Sequence, residues 1–149
     1  MALNGIEVRT PLTEEEWTRY YDLRWRILRQ PWQQTGPDRD PTDDMAIHRM
    51  VCSADGDVLA VGRLHRVDAD TGQIRFMAVA EGRQRQGHGS RLLVALEQAA
   101  RELPVRTLIL QAREAAVPFY QHHGYRQVEK TFLLFGEIQH YLMQKDLPT

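Results

Sequence analysis

One segment near the middle of the chain constrains the fold more than any other, because its pattern changes within a few residues. The apolar run that ends at Val79 alternates like a strand, and the residues after Gly89 have the spacing of an amphipathic helix. Between them lies a basic loop that also contains Gly82 and Gly87. Glycines let backbone N–H groups turn toward a ligand, and a helix N-terminus carries about half a positive charge. The segment therefore predicts an anion site suited to a diphosphate.

Arginines strengthen this prediction, since Arg83, Arg85 and Arg91 add positive charge around the loop. The alternative interpretation is a solvated loop whose arginines only cover surface. A P-loop is excluded because no Gly-Lys-Ser/Thr follows, and the dinucleotide fingerprint is excluded because a third glycine is missing. A nucleic-acid-binding module is disfavoured by the net charge of −1 and by the lack of aromatic residues between the arginines.

The N-terminal half predicts one helix and four strands. Thr13 and Glu16 form a capping-box pattern at the start of a helix that should end before Pro31. A polar loop, residues 31–44, separates this helix from a hairpin whose turn is Asp55-Gly56. The predicted strands of this half are Gly5–Arg9, Ala46–Ser53, Val58–Val67 and Gln73–Val79.

The C-terminal half predicts two helices and three strands. The helix after Gly89 closes at Pro104, and a short second helix, Ala115–His122, ends at Gly124. The strands are Thr107–Leu110, expected to be buried on both faces, Tyr125–Phe132 and Ile138–Lys145. The order β-α-β-β-β-α-β-α-β-β predicts an α/β fold with a mixed sheet of about six to seven strands flanked by helices. We expect a single domain over residues 1–149, with its core at about residues 6–147.

Composition excludes several classes of protein. The single cysteine, Cys52, excludes an intramolecular disulfide framework and is predicted to be a buried thiol rather than a nucleophile. No apolar run approaches the roughly 20 residues of a membrane span, and the N-terminus has no signal-peptide pattern. The six histidines lack the spacing of a metal site. We therefore expect no metal and no membrane partner, and a cytoplasmic location.

Two motifs resemble those of a known superfamily. Gln84–Gly89 matches Gln/Arg-x-x-Gly-x-Gly/Ala, and Phe119–Tyr125 matches Phe-Tyr-x-x-x-Gly-Phe/Tyr. Both are motifs of the GNAT superfamily of N-acetyltransferases, and the order of elements also resembles it. The resemblance implies a single-domain GNAT fold that binds acetyl-CoA. The residues it assigns to this cosubstrate are Met77, Ala78 and Val79, pairing with pantetheine, and Gln84, Arg85, Gln86, Gly87, His88, Gly89 and Ser90, whose loop binds the diphosphate.

Further similarity is to the ElaA-like branch of this superfamily. Leu23–Gln30 resembles its early helix motif, Leu-Arg-x-x-Val-Phe-x-x-Glu-Gln. The acidic loop Asp38–Asp44 and His48 lie where that branch has an Asp-rich loop followed by a histidine, and Gly136–Met143 resembles its Asp-Gly-Ile-x-His-x-x-Met. These matches predict an ElaA-like member.

Acyl transfer from a thioester to an amine needs a neutral amine, donors for the oxyanion and a proton for the departing thiolate. The resemblance puts the hydroxyl of Tyr120 near the coenzyme sulfur, so Tyr120 is predicted to be the general acid. The alternative is an amphipathic tyrosine that packs the short helix, as Phe119 is expected to do.

The general base stays open. Many relatives carry a glutamate on the strand before the loop, whereas residues 73–77 contain no carboxylate. His140 has the pKa best suited to the work and is predicted to be catalytic, although a half-exposed strand histidine is an equal alternative. The other candidates, acting directly or through water, are Glu137, His48, Asp43 and Asp44.

The acceptor site is predicted from carboxylates. Asp43, Asp44 and Glu137 are expected to bind a cationic acceptor, with solvated side chains as the alternative. Arg113, where many relatives have asparagine, is either a coenzyme or substrate contact or a surface arginine.

The function predicted from these observations is transfer of an acetyl group from acetyl-CoA to a primary amine of a small molecule or protein. The amine is expected to attack directly in a ternary complex, with Tyr120 as general acid to the thiolate. The alternative is a CoA-binding sensor or partner protein without turnover, to which the missing strand glutamate gives weight. The resemblance also leaves a homodimer open.

Overall fold

The computed structural model describes residues 5–32 and 40–148, and of Trp32 only the backbone. Within this part of the chain the predicted order of strands and α-helices is confirmed. The helices are α1 (Glu14–Leu28), α2 (His88–Glu102) and α3 (Val117–His122). The strands are β1 (Glu7–Arg9), β2 (Ile47–Cys52), β3 (Val58–Arg66), β4 (Thr71–Val79), β5 (Thr107–Arg113), β6 (Arg126–Leu134) and β7 (Ile138–Asp146).

Element boundaries differ from the predicted ones by a few residues. β4 begins at Thr71 rather than Gln73, because its pairing with β3 continues to Gly72 opposite Arg66 and the backbone N–H of Val67 donates to the Thr71 carbonyl oxygen at 2.8 Å. Short 3-10 helices, Gln30–Trp32 and Asp43–Met45, occupy the two ends of the segment predicted to be an irregular loop. Residues 33–39 of that loop, which include part of the Asp-rich motif, lie outside the described residues.

The predicted capping box starts α1. The backbone N–H of Glu16 donates to Thr13 Oγ1 at 3.1 Å, and Glu16 Oε1 accepts from the backbone N–H of Thr13 at 3.3 Å. Arg9 of β1 pairs with the same carboxylate, so the first turn of α1 is joined to the edge of the sheet. A cap of this kind stabilises a helix by about 1 kcal/mol.

The seven strands lie in the order β1-β2-β3-β4-β5-β7-β6, and β4 and β5 are the parallel neighbours in this otherwise antiparallel sheet of the described chain. α2 covers one face, where Leu92, Leu93 and Leu96 are fully buried. α1 covers the other face with Tyr20 and Leu23. Burial of each such apolar side chain contributes about 1.5–3 kcal/mol to the stability of the fold, so α1 and α2 are both held firmly against the central strands.

The prediction that β5 is buried on both faces is wrong. Leu108, Leu110 and Ala112 are buried on the α2 side, but Ile109 and Gln111 are only partly covered. The reason is that α1 packs mainly across β3 and β4. The uncovered side of β5 is therefore free to form part of a cavity.

Cys52 lies in the core beneath α1 and is 4% exposed, so the predicted buried thiol is confirmed. Burial raises the pKa of this thiol. No helix in residues 5–32 and 40–148 combines the length and hydropathy of a membrane span.

Candidate active site

A gap between β4 and β5 forms the centre of the candidate site. Their parallel pairing runs from Thr71 opposite Thr107 to Ile74 opposite Leu110 and stops there. Beyond this point β4 has an irregularity at Phe76, whose φ of 57° lies in the left-handed region. The residues Arg75–Val79 of β4 thus have no partner strand on the β5 side within the described chain. The predicted pantetheine partners, Met77–Val79, are in this unpaired part of β4.

The irregularity is a β-bulge against β3. Val61 pairs with Ala78 and Arg63 pairs with Arg75, so the single residue Gly62 faces both Phe76 and Met77. A bulge bends its strand, which explains why β4 turns away from β5. A Cβ atom at position 62 would lie 3.0 Å from Met77 Cγ and 3.0 Å from a methyl of Leu92. Glycine at this position lets the bulged strand and α2 approach β3 closely.

A cavity of about 450 Å³ occupies the gap. Its wall combines the C-terminal end of α1, Asp40, the bulged part of β4, the end of β5, α3 and the β6–β7 hairpin. This volume is in the range of small-molecule sites. Of the predicted site residues, the cavity brings together Met77, Tyr120 and His140.

Tyr120 enters this cavity from α3. The side chain is 8% exposed, and its hydroxyl donates to the sulfur of Met77 at 3.4 Å. A thioether is a weak acceptor, so this contact leaves the phenol able to donate to a better partner. Burial raises the pKa of Tyr120 to about 12, with the nearby charge of Arg113 acting in the opposite direction. The phenol therefore stays protonated at neutral pH.

His140 lies on β7, opposite Arg113 of β5. Its Nδ1 is 2.9 Å from the carbonyl oxygen of Ile138, and since a carbonyl only accepts, Nδ1 carries the proton. The ring stacks on Phe132 with 4.5 Å between centroids and 11° between planes. Among the described residues Nε2 has no hydrogen-bond partner. Burial lowers the pKa of His140, so a neutral imidazole with a lone pair on Nε2 is favoured.

The predicted phosphate loop is exposed from residue 81 to residue 87 and leads directly into α2. Gly82, Arg85 and Gly87 all have positive φ angles, of 75°, 65° and 83°. Gly87 is the N-cap of α2, and no side chain caps this helix end in the described structure. The N–H groups of the first turn are among those that a helix cannot satisfy internally. The loop thus has the features of an anion site at a helix N-terminus.

Several side chains of the loop motif make hydrogen bonds within the motif, to its backbone or to one another. Gln84 Oε1 accepts from the backbone N–H of Gly82 at 3.1 Å, and Arg91 donates to the backbone oxygen of Gln86 at 3.1 Å. His88 is buried and lies between Gln86 Oε1, at 3.2 Å, and Arg91, at 3.3 Å. Burial and the charge of Arg91 lower the pKa of His88. These contacts order the loop, although its residues 81–87 are exposed.

The two sequence motifs meet in space. A Cβ atom at Gly89 would lie 3.4 Å from the ring of Phe119, so glycine allows α2 and α3 to approach each other. Ser90 Oγ lies 2.9 Å from Nε2 of His123 across the same contact. The loop motif is therefore fixed to the helix that carries Tyr120.

Asp43 does not have the acceptor-binding role predicted for it. The side chain is buried, with hydrogen bonds from Arg24 at 3.0 and 3.1 Å and from Arg63 at 3.0 Å. Burial alone would raise the pKa of Asp43, but the hydrogen bonds from Arg24 and the Asp40 backbone, together with both arginine charges, hold it below its ordinary value. This carboxylate is a structural anion that joins the segment before β2 to α1 and β3.

The other predicted carboxylates lie away from the cavity. Asp44 is exposed and lines a separate, open surface cleft together with Trp17 and Tyr21. Glu137 is exposed in the β6–β7 turn and is not part of the cavity wall. His48, the remaining base candidate, is buried with Nε2 at 2.8 Å from the Asp43 carbonyl and Nδ1 at 2.8 Å from the Tyr20 hydroxyl. Both of its nitrogens are therefore engaged.

Of the arginines in the cavity wall, sequence reasoning singled out Arg113 as a possible coenzyme or substrate contact and missed Arg29 and Arg75. Arg75 lies beside Phe76, with 4.4 Å between the guanidinium carbon and the ring centroid, and Arg24 lies 3.9 Å from the same centroid. Arg29 and Arg113 also line the cavity. No short stretch of the sequence signals this grouping, because separate elements of the fold bring these arginines to one cavity. In the part of the chain that the structure describes, no group of three His, Cys, Asp or Glu side chains could hold a metal ion.

The chain is similar in sequence to proteins of one known family. The family described as "Acetyltransferase (GNAT) family" matches residues 17–125. An uncharacterized N-acetyltransferase of Bacillus subtilis, YjcF, is 36% identical over 75 residues, which span 50% of this chain and 54% of that protein. The chain thus spans about half the length of this relative.

Solved structures share the fold. ElaA of Escherichia coli has a TM-score of 0.81 and 21% identity, covering 94% of this chain and 99% of that chain. A GNAT family acetyltransferase of Elizabethkingia anophelis with acetyl-CoA bound has a TM-score of 0.70 and 19% identity, covering 97% and 100%. The predicted superfamily is confirmed, and the fold is similar to that of ElaA. The chain belongs to the acetyltransferase (GNAT) family, the family of acetyl-CoA-dependent N-acyltransferases.

Proposed function

We propose that this protein transfers an acetyl group from acetyl-CoA to a primary amine. The observation that carries the proposal is the presence of Tyr120 and His140 in one cavity at the gap between β4 and β5. The phenol of Tyr120 is protonated and the imidazole of His140 is neutral. These states suit a general acid for the departing thiolate and a general base for the amine.

The residues present fit the diphosphate of acetyl-CoA. The N-terminus of α2 has a glycine N-cap without a side-chain cap, and Arg83 and Arg85 are exposed beside it. A helix N-terminus with adjacent guanidinium groups favours a phosphate anion. We further propose that the unpaired edge of Met77–Val79 binds the pantetheine through main-chain hydrogen bonds. The acetyl-CoA bound to the Elizabethkingia relative supports this choice of cosubstrate.

Each of the two residues would move one proton. When bound, acetyl-CoA supplies an activated acetyl thioester. His140 Nε2 would accept the proton that the amine loses on attack, because its lone pair has no partner among the described residues. Tyr120 would donate its hydroxyl proton to the departing thiolate. Direct attack of the amine in a ternary complex fits a cavity that holds both residues.

The test is release of free coenzyme A thiol from acetyl-CoA on addition of an amine panel. The wild-type protein should release thiol in proportion to the acetylated amine formed. The variant Tyr120→Phe should lower kcat by about 100-fold, as expected for loss of a general acid, while the Kd for coenzyme A stays unchanged. Tyr141→Phe is the matched control, because the Tyr141 hydroxyl donates to Glu114 at 2.8 Å and does not line the cavity.

Unchanged turnover in Tyr120→Phe would remove this residue from the mechanism. Binding of acetyl-CoA without turnover of any amine would instead support the alternative, a CoA-binding protein that does not catalyse transfer.

A further inference from the structure

One face of the β6–β7 hairpin lines the cavity. Side chains alternate along a strand, so Ile138 and His140 of β7 lie on the same face. Leu134 is the partner of Ile138 in the β6–β7 pairing, and the ring of Phe132 stacks on that of His140. All four residues line the cavity. The proposed base is therefore set in an apolar surface formed by Phe132, Leu134 and Ile138, which we call the hairpin surface.

The hairpin surface has apolar area that a ligand can cover. Phe132 is 42% exposed although its ring stacks on His140, and Leu134 and Ile138 are half-buried. Leu28, at the end of α1, adds another half-buried apolar side chain to the cavity wall. Apolar side chains that stay accessible in a cavity are typical of sites for small molecules. Binding of an apolar group at this surface would remove this area from water.

The hairpin surface is distinct from the strand edge proposed for pantetheine. β5 lies between β4 and β7 in the sheet, so the hairpin and Met77–Val79 are on opposite sides of β5. His140 is the partner of Arg113, and its side chain therefore shares a face with Gln111, on the side of β5 that α1 leaves uncovered. With pantetheine at the edge of β4, the hairpin surface is left for the acceptor.

A charged pair on the β4 side of the cavity is already engaged. Arg75 lies 3.4 Å from Oδ2 of Asp40, and Oδ1 of Asp40 accepts from the backbone N–H and the hydroxyl of Thr42 at 2.9 and 2.6 Å. A second ammonium group on the acceptor would have to compete with these partners for the carboxylate. An uncharged, apolar body on the hairpin surface meets no such competition.

We propose that the acceptor of this enzyme is a primary amine on an uncharged apolar body, an alkyl or aryl group. This inference rests on the acetyl transfer proposed above and names its substrate class. The apolar body packs on the hairpin surface, and the amine meets Nε2 of His140. An acceptor that carries a second charge at its far end is disfavoured, because that charge would lose water against apolar side chains.

A series of linear amines tests this inference. Propylamine, butylamine, pentylamine and hexylamine differ in length but hardly in the pKa of the ammonium group, so their intrinsic reactivity is the same. With saturating acetyl-CoA, kcat/KM should rise about threefold to fourfold per added methylene. 1,5-Diaminopentane has a second ammonium group in place of the terminal methyl group of hexylamine, and its kcat/KM should be lower by about tenfold or more.

Shortening one side chain of the hairpin surface should flatten the series. Ile138→Ala keeps the backbone carbonyl oxygen that accepts from Nδ1 of His140, so the base stays in place. We expect kcat/KM to fall about tenfold for hexylamine and less for propylamine. Leu133→Ala is the matched control and should keep the slope of the series, because Leu133 is 54% exposed and lies outside the cavity wall.

A binding experiment without turnover runs in parallel. With coenzyme A present, N-hexylacetamide should raise Tm more than N-propylacetamide does, because more methylene groups are covered. The difference between the two shifts should shrink in Ile138→Ala and persist in Leu133→Ala.

The outcomes separate the two proposals. A flat series, or turnover that is highest with 1,5-diaminopentane, overturns the inference about the acceptor and leaves acetyl transfer intact. Absence of turnover with every amine contradicts the proposed function, and the binding experiment then decides the acceptor class. Equal Tm shifts for the two acetamides, or an Ile138→Ala variant that keeps the full slope, overturn the inference.

Discussion

The loop at residues 81–87 and the cavity between β4 and β5 belong to one candidate site, but they are built in different ways. The loop is continuous in sequence, exposed, and shaped by backbone conformations such as the positive φ of Gly87. The cavity combines side chains from α1, β4, β5, α3 and the β6–β7 hairpin, supported by a buried group of charges. The comparison indicates that the proposed acetyl-CoA loop depends on local geometry, whereas the proposed acceptor cavity depends on the packing of the whole fold.

The largest expected effect is on stability and comes from the buried charges behind the cavity. Asp43→Asn leaves Arg24 and Arg63 without their shared carboxylate, so the free energy of unfolding should fall by about 3–5 kcal/mol. Urea unfolding at pH 7 measures the change. Asp44→Asn is the control at the neighbouring, exposed position, where the effect should stay within about 0.5 kcal/mol.

The stabilising contribution of the Asp43 carboxylate should depend on pH. The folded-state pKa of Asp43 is lowered, so its contribution to stability is present above the unfolded pKa of about 3.9 and is lost as the pH falls below it. The difference between wild type and Asp43→Asn should therefore shrink on acidification. If Asp43→Asn changes the free energy of unfolding only slightly at pH 7, or by the same amount as Asp44→Asn, the fold behind the cavity does not depend on the Asp43 carboxylate.

The next effect is on catalysis and comes from His140. His140→Gln should lower kcat/KM by about 100-fold, because the proposed base is lost. In the wild type, kcat/KM should rise with pH through the His140 pKa, which burial places below the ordinary value of about 6.5. That acidic limb should disappear in His140→Gln. His122→Gln, at an exposed position of α3, should keep it, and a limb that survives in His140→Gln would exclude this residue as the base.

The smallest effect is expected in the loop. Gly87→Ala introduces a side chain at a φ of 83° without a close steric contact, since its Cβ would lie 3.4 Å from the end of Arg91. The strain should reorient the first N–H groups of α2 and weaken acetyl-CoA binding about tenfold. Gly136→Ala, at a φ of 71° in the β6–β7 turn, adds similar strain at a distance. Calorimetric titration with acetyl-CoA should show weaker binding to Gly87→Ala than to Gly136→Ala. Equal affinities would contradict the assignment of the loop as the acetyl-CoA site.

The sequence predicted the locally determined features, such as the loop, better than the features that depend on packing, such as the cavity. The capping box of α1, the hairpin turns and the strand–loop–helix segment depend on neighbouring residues, so their signals are present in short stretches of sequence. The bulge at Phe76 depends on how β3, β4 and α1 pack together. A φ of 57° in a phenylalanine has no local signal, because the surrounding structure imposes it.

Charges were the least predictable feature. Asp43 and Asp44 are adjacent in sequence and look equivalent, yet one is buried between two arginines and the other is exposed. Arg24 and Arg63 lie among apolar residues of α1 and β3, and only the folded chain brings them to one carboxylate. The sequence predicted an acidic acceptor site for this reason, whereas the charged side chains of the described cavity wall are three arginines and Asp40.

Thermal unfolding with acetyl-CoA, with ATP and NAD as controls, tests whether the loop at residues 81–87 binds the coenzyme. At about 100 times Kd, a ligand of the native state adds about 2.7 kcal/mol, which should raise Tm by roughly 5–10 °C for a chain of this size. We expect this rise for acetyl-CoA, no comparable rise for ATP or NAD, and a smaller rise in Gly87→Ala at the same ligand concentration. No shift at millimolar acetyl-CoA would contradict the assignment of the loop as the coenzyme site, and the proposed transfer would fall with it.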